Sequence, residues 1–167
     1  MSITAERMET IDFSNKYYST PAALVAAKTM EIDGTPESLK GKIVGAQVST
    51  IHANYAEKYF KDMASDIKVT YQAFDEHNAD LVAGRLDAVV GDSLAFSDFL
   101  GTDEGKSFEI KALLTDEEIF GKGVGVGMRK GDEELKAKFN AAIEKVRADG
   151  TYDTIAKKYF DFDIFGG

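Results

Sequence analysis

Short strand-like runs alternate with helix-like runs through the middle of the chain, and that alternation limits the fold more than any other feature. KIVGAQ at 42–47 predicts a buried strand. Ser49 and Thr50 are N-cap residues, and the following pattern predicts a helix over 51–64, with Tyr55, Tyr59 and Met63 at i, i+4 and i+8. Residues 67–73 alternate like a strand with Ile67, Val69 and Tyr71 on one face, and 75–84 is helical with Leu81 and Val82 inward. DAVVG at 87–91 is a short strand, 93–100 a helix, and 108–114 and 124–129 the last strands. Upstream, AALVAAK at 22–28 is an apolar run, and Thr35-Pro36-Glu37-Ser38-Leu39 reads as a cap, a first-turn proline and a short helix closed by Gly41. The tail carries a helix with Leu135, Phe139, Ala142 or Ile143, and Val146 on one stripe. Gly150 ends it, and a second helix starts at Thr151 with Tyr152, Ile155 and Tyr159 on one face. The middle thus predicts βαβαβα, an α/β fold with a mostly parallel sheet covered on both faces. In such folds ligands lie at the carboxyl ends of strands near helix N-termini, which points to Ser49-Thr50 and Gly91-Asp92.

Composition removes several classes of function. With 167 residues, 44% of them hydrophobic, the chain has enough apolar surface for one domain or two small ones. A net charge of -9 repels phosphate backbones, so nucleic acid is not an expected partner. The absence of cysteine excludes disulfides, thiolate zinc sites and cysteine nucleophiles. His52 and His77 are too far apart in sequence for a metal motif, and no metal or cofactor is expected. No apolar run approaches the ~20 residues of a membrane span. The opening segment MSITAERMETIDFS lacks the basic and apolar regions of a secretory signal. Gly121, Gly123, Gly125 and Gly127 alternate but form neither a phosphate-binding loop nor a dinucleotide fingerprint. Tyr159, Phe160, Phe162 and Phe165 are read as packing, and Asp75-Glu76 and Asp116-Glu117-Glu118 as solvated loop or helix-start charges.

Five segments in order carry a resemblance: MSITAERMETIDFSNKYY at 1–18, LKGKIVGAQVST at 39–50, LVAGRLDAVVGD at 81–92, GKGVGVGMRKGDEEL at 121–135, and DGTYDTIAKKYF at 149–160. Together they resemble the polar-amino-acid solute-binding proteins of ABC importers, the family 3 group that takes lysine, arginine, ornithine, histidine and opines. The resemblance implies a type II periplasmic-binding-protein-like fold, two α/β lobes joined by two crossover strands that close on a ligand. The crossovers would be residues 22–28 and a stretch around 120–126. It assigns 1–21 to a first-lobe remnant, 22–123 to a complete second lobe with the crossovers, and 124–167 to the C-terminal part of an incomplete first lobe. The family's signal peptide and opening first-lobe elements, which carry the aromatic residues around the ligand side chain, have no counterpart in these segments.

The resemblance also implies the binding residues. Arg7, in the SITxxR position, would take the ligand carboxylate through two parallel hydrogen bonds, against the alternative of an exposed helix arginine. Ser2 would add a hydroxyl or backbone contact. Thr50, opening a helix after a strand, would close on the same carboxylate from the second lobe, a role compatible with a plain N-cap. Ser49 stands where the family usually has glycine. Gln47 and His52 would lie near the cleft. Asp92 would accept the ligand's α-ammonium, against the alternative of a cap for the helix from Ser93.

The expected function is therefore non-enzymatic: binding a polar or basic amino acid, or an opine, in the periplasm for delivery to ABC permease subunits. Alternatives are a truncated homologue with impaired binding, a dehydratase on the same fold, for which no paired carboxylates or His–carboxylate set is visible, and a sensory domain. A further expectation is a homo-oligomer formed through the incomplete lobe, with matching elements exchanged between copies.

Overall fold

AALVAA forms an interior strand of a sheet because a strand with no polar side chain can be buried on both faces. In the computed structural model, which describes residues 1–160 and 163–166, this is strand β2 (Ala22–Ala27), with Ala23, Leu24, Val25 and Ala26 fully shielded from solvent. The chain divides into two compact units, Pro21–Thr115, and Met1–Thr20 with Asp116–Gly167.

In the unit Pro21–Thr115, β2 joins β3 (Ile43–Gln47), β4 (Asp66–Tyr71), β5 (Ala88–Asp92) and β6 (Phe108–Leu114) in the order β4-β3-β5-β2-β6. β3 runs parallel to β4 and β5, whereas β2 runs antiparallel to both β5 and β6. The sheet is thus mixed rather than mostly parallel. Side-chain alternation does not report strand direction, so the reversal at β2 has no signature in its apolar run.

Three helices follow the strands: α2 (Ile51–Tyr59), α3 (Phe74–Val82) and α4 (Ser93–Leu100). Helix α2 is shorter than the pattern predicts, because the chain leaves it at Phe60 and turns, with the Ala64 amide closing on the Phe60 carbonyl. On one face of the sheet Ala23, Val25, Tyr71 and Val89 pack with Leu81 of α3 and Phe96 of α4. Leu24, Val44 and Val90 alternate to the opposite face. Residues Glu37–Leu39 form a single 3-10 turn rather than a helix.

In the other unit α1 (Ala5–Thr10) leads into β1 (Ile11–Phe13), which pairs antiparallel with β7 (Gly127–Arg129). The strand predicted over 124–129 is thus confined to its last three residues, and Val124 makes only isolated bridges to Ser2 and Tyr18. Residues 120–126 hold no continuous strand, since α5 (Glu117–Phe120) ends at Gly121 and Gly123 takes φ 126. Asp116 caps α5 by accepting from the Ile119 amide at 3.1 Å, so this acidic run does start a helix. Helix α6 (Glu133–Ala148) is capped by Asp132 and followed by Gly150, at φ 77, and α7 (Thr151–Ala156). Phe165 lies under Arg147, 3.9 Å from guanidinium carbon to ring centre, and Tyr159 is 74% exposed. The Phe160 and Tyr159 ring centres lie 6.3 Å apart with the rings tilted by 48°, and Phe162 lies outside the described residues.

Candidate functional site

Two neighbouring strands end side by side in the unit Pro21–Thr115. Val44, Gly45 and Ala46 of β3 lie level with Ala88, Val89 and Val90 of β5. Continued two residues, this register brings Val48 level with Asp92, and Thr50 follows directly. Adjacent strands are about 4.8 Å apart, so the N-termini of α2 and α4 open next to each other. The chain leaves β3 toward β4 on one side and returns to β5 on the other, the strand-order reversal where α/β sheets hold ligands.

The two helix starts differ in charge. Thr50 caps α2: its hydroxyl accepts from the Ala53 amide at 3.1 Å and donates to the Gln47 carbonyl at 2.7 Å. A helix's first amides have no partner within the helix, and its dipole favours an anion there. Ser49, just before the cap, has φ 59, the sole non-glycine residue in the left-handed region among those described. That backbone explains why glycine suits this place.

At α4 the carboxylate is built in. Asp92 Oδ1 accepts from the Leu94 and Ala95 amides at 2.9 and 3.2 Å, and the Ser93 amide donates to the Pro21 carbonyl at 3.1 Å. Asp92 is therefore the N-cap that the sequence allows, and its negative charge is held at the strand end. An amide-rich helix start beside a fixed carboxylate is complementary to a zwitterion, an anion within reach of a cation. The contact from Pro21 could not be read from the sequence, because nothing local relates residues 21 and 93.

Gly91 carries the strand into this turn under two rings. A Cβ there would sit 2.7 Å from Phe74 Cε2 and 2.9 Å from Phe96 Cζ, so only glycine lets both rings reach the strand. The same cluster holds His77, which is fully buried and whose ring nitrogens lack hydrogen-bond partners. Burial pushes its imidazole down to about 4; the Asn78 amide, close by but outside hydrogen-bond geometry, opposes the shift.

The remaining residues singled out in the sequence are placed as follows. The Gln47 amide donates to the Gln72 carbonyl at 2.8 Å, linking the ends of β3 and β4. His52 is half-buried in the first turn of α2. Arg7 and Ser2 belong to the other unit. There Thr4 caps α1 by accepting from the Arg7 amide at 3.3 Å, and the half-buried Arg7 guanidinium donates through Nη1 to the Ser2 carbonyl at 3.1 Å. The structure thus groups Thr50, Asp92, Gln47 and His52 at one sheet end and pairs Arg7 with Ser2 separately. Among the described residues no group of three or more His, Asp or Glu side chains could hold a metal ion.

Comparison with known proteins gives a consistent result. Residues 1–162 match the family described as bacterial extracellular solute-binding proteins, family 3. The chain is 46% identical over 168 residues to an L-arginine-binding protein of Pseudomonas aeruginosa, covering 99% of this chain and 64% of that one. It is 43% identical over 169 residues to a histidine-binding periplasmic protein of Escherichia coli, covering 100% of this chain and 65% of that one. An ancestral arginine-binding protein bound to arginine superposes with a TM-score of 0.85 at 34% identity, over 96% of this chain and 69% of the other. The chain spans about 64–65% of the length of these two sequence relatives.

Proposed function

Because the chain belongs to family 3 of the bacterial extracellular solute-binding proteins, we propose that it binds a free amino acid through the α-ammonium and α-carboxylate groups, as a non-enzymatic receptor feeding an ABC importer from the periplasm. The observation that carries this reading is the adjacency of the Thr50 cap and the Asp92 carboxylate at the ends of β3 and β5. Asp92 takes the α-ammonium through a charge-assisted hydrogen bond worth about 1.5–3 kcal/mol. The amides opening α2 take the carboxylate, and the Thr50 hydroxyl joins them by turning its single proton from the Gln47 carbonyl to the ligand. In the other unit Arg7, with Ser2 beside it, is a guanidinium suited to a ligand carboxylate, and Gln47 and His52 tune the choice of ligand. A basic side chain is the favoured cargo, since the relatives bind arginine and histidine by name.

Calorimetry against arginine, lysine, histidine, glutamine and their α-deamino analogues tests this. Asn caps a helix nearly as well as Asp. Asp92→Asn should therefore leave folding intact, weaken the α-amino acids roughly ten- to hundred-fold, and weaken the deamino analogues much less. Equal losses for both classes would reduce Asp92 to a cap.

We also propose self-association through the unit that contains α6. That helix buries none of its side chains fully, although Leu135, Phe139, Ile143 and Val146 share a stripe and Leu135 is 39% exposed. Light scattering across a concentration series decides: a folded monomer at high concentration would exclude it.

A further inference from the structure

Helices α3 and α4 lie on one face of the sheet but do not close against each other along their whole length. Alanines at their facing positions, Ala79 on α3 and Ala95 on α4, leave a groove of about 670 Å³ between them. This falls in the ~300–1,000 Å³ range of small-molecule sites. Its walls are the half-buried rings of Phe74 and Phe99 and the Val82 side chain, itself 42% exposed. Carboxylates of Asp75, Asp98 and Glu104 stand around it, and no basic side chain lines it among the described residues. Asn78 also lines the groove; it is only 5% exposed, and its buried Oδ1 has no hydrogen-bond partner.

We propose that this groove is a second ligand site, separate from the ends of β3 and β5, and that it takes a small apolar organic cation such as an aryl-alkyl ammonium. The apolar part is recognised by the walls, whose burial supplies the affinity. The charge is selected by the surroundings. Three carboxylates without a lining cation disfavour an anion, and an ammonium over the face of Phe74 or Phe99 gains cation–π attraction as well. The Asn78 amide adds a polar anchor. Half a turn about its terminal torsion exchanges the carbonyl and the NH2, so it can offer a ligand either an acceptor or a donor. The groove is bordered by three exposed carboxylates and apolar walls, unlike the single capping carboxylate of the other site. The proposal does not depend on the amino-acid reading.

The test is a nuclear magnetic resonance titration of the isotope-labelled full chain with phenylbutylammonium, phenylbutyrate and phenylbutanol, none of which has both groups of an α-amino acid. Phenylbutylammonium should shift the amide signals of residues 74–83 and 95–104 saturably, and bind more weakly as salt is added. Phenylbutyrate should not bind, and phenylbutanol should bind less tightly than the ammonium. The double variant Asp98→Asn, Glu104→Gln changes two exposed side chains and should weaken the ammonium roughly five-fold. Ala79→Phe, also at an exposed position, should fill the groove and remove the response, while Asp92→Asn should leave it unchanged. Equal binding of ammonium and alcohol, indifference to the charge variants, shifts centred on Thr50 and Asp92, or no saturable response would each overturn the proposal.

Discussion

Ser49 holds φ 59 directly before Thr50, whose hydroxyl is fixed between the Gln47 carbonyl and the Ala53 amide. The left-handed residue turns the chain from β3 into α2 and sets the direction in which the first amides of α2 point. A side chain in that region costs roughly 1 kcal/mol that glycine avoids, partly offset by the greater freedom of glycine in the unfolded chain. Ser49→Gly should raise stability by about 0.5 kcal/mol in urea unfolding, and Ser49→Val should lower it by about 1–2 kcal/mol because a β-branched residue fits the region worst.

The packing of Gly91 gives a second prediction. Gly91→Ala places a methyl group within 2.7 Å of Phe74 and 2.9 Å of Phe96, a degree of overpacking that costs about 1–3 kcal/mol. Phe74→Leu in the same chain removes part of the clash. The double variant should therefore be less destabilised than the sum of the single changes, a non-additivity measurable by a double-mutant cycle in urea. Strictly additive losses would mean that Gly91 is there for its backbone and not for the rings.

The buried imidazole makes the unit Pro21–Thr115 sensitive to acid. His77 titrates near 6.5 when unfolded and at about 4 when folded, because burial disfavours its charged form. The unfolded chain therefore binds more protons between those values. The stability this group contributes is fully present above pH 6.5 and is lost as pH falls through about 4, a loss of about 3 kcal/mol. His77→Leu has no group to titrate. Its urea midpoint should fall less steeply than that of the parent chain between those pH values, and identical pH profiles would refute the assignment.

The parts of the site that depend on neighbouring residues could be read from the sequence, and those that depend on distant pairing could not. Thr50 and Asp92 are legible because a cap is a local device, a short polar side chain meeting amides two or three residues on. The short apolar strand before Asp92 is legible too, displaced by one residue to Ala88–Asp92. The direction of β2 is not, since Leu24 pairs with Val90 and Ala112 through contacts that the sequence AALVAA does not encode. The early end of α2 is hidden too. Met63 continues the apolar spacing set by Tyr55 and Tyr59, but the chain has already turned at Phe60. At 120–126 alternating glycines imitate strand periodicity, yet Gly121 and Gly123 both take positive φ, which breaks the ladder. The groove between α3 and α4 arises from alanines that read as ordinary helix formers and become a gap only when two helices meet.

Arg7 allows a sharp test of its proposed role in ligand binding. Its Nη1 already donates to the Ser2 carbonyl at 3.1 Å, which fixes the guanidinium at the start of α1 and leaves its planar fork able to meet a carboxylate. Arg7→Ala removes one exposed-to-half-buried contact, so stability should change by less than about 1 kcal/mol. Affinity for amino acids should fall roughly ten- to hundred-fold, as expected for losing a charge-assisted pair. Arg7→Lys separates charge from geometry. A point charge on a flexible stem cannot make two parallel bonds, so lysine should recover only a minor part of the lost affinity. If Arg7→Lys binds as tightly as the parent chain, Arg7 acts only through long-range attraction, and raising the salt concentration should then erase the difference between parent and Arg7→Ala as well. If Arg7→Ala folds and binds arginine unchanged, Arg7 has no part in holding the ligand.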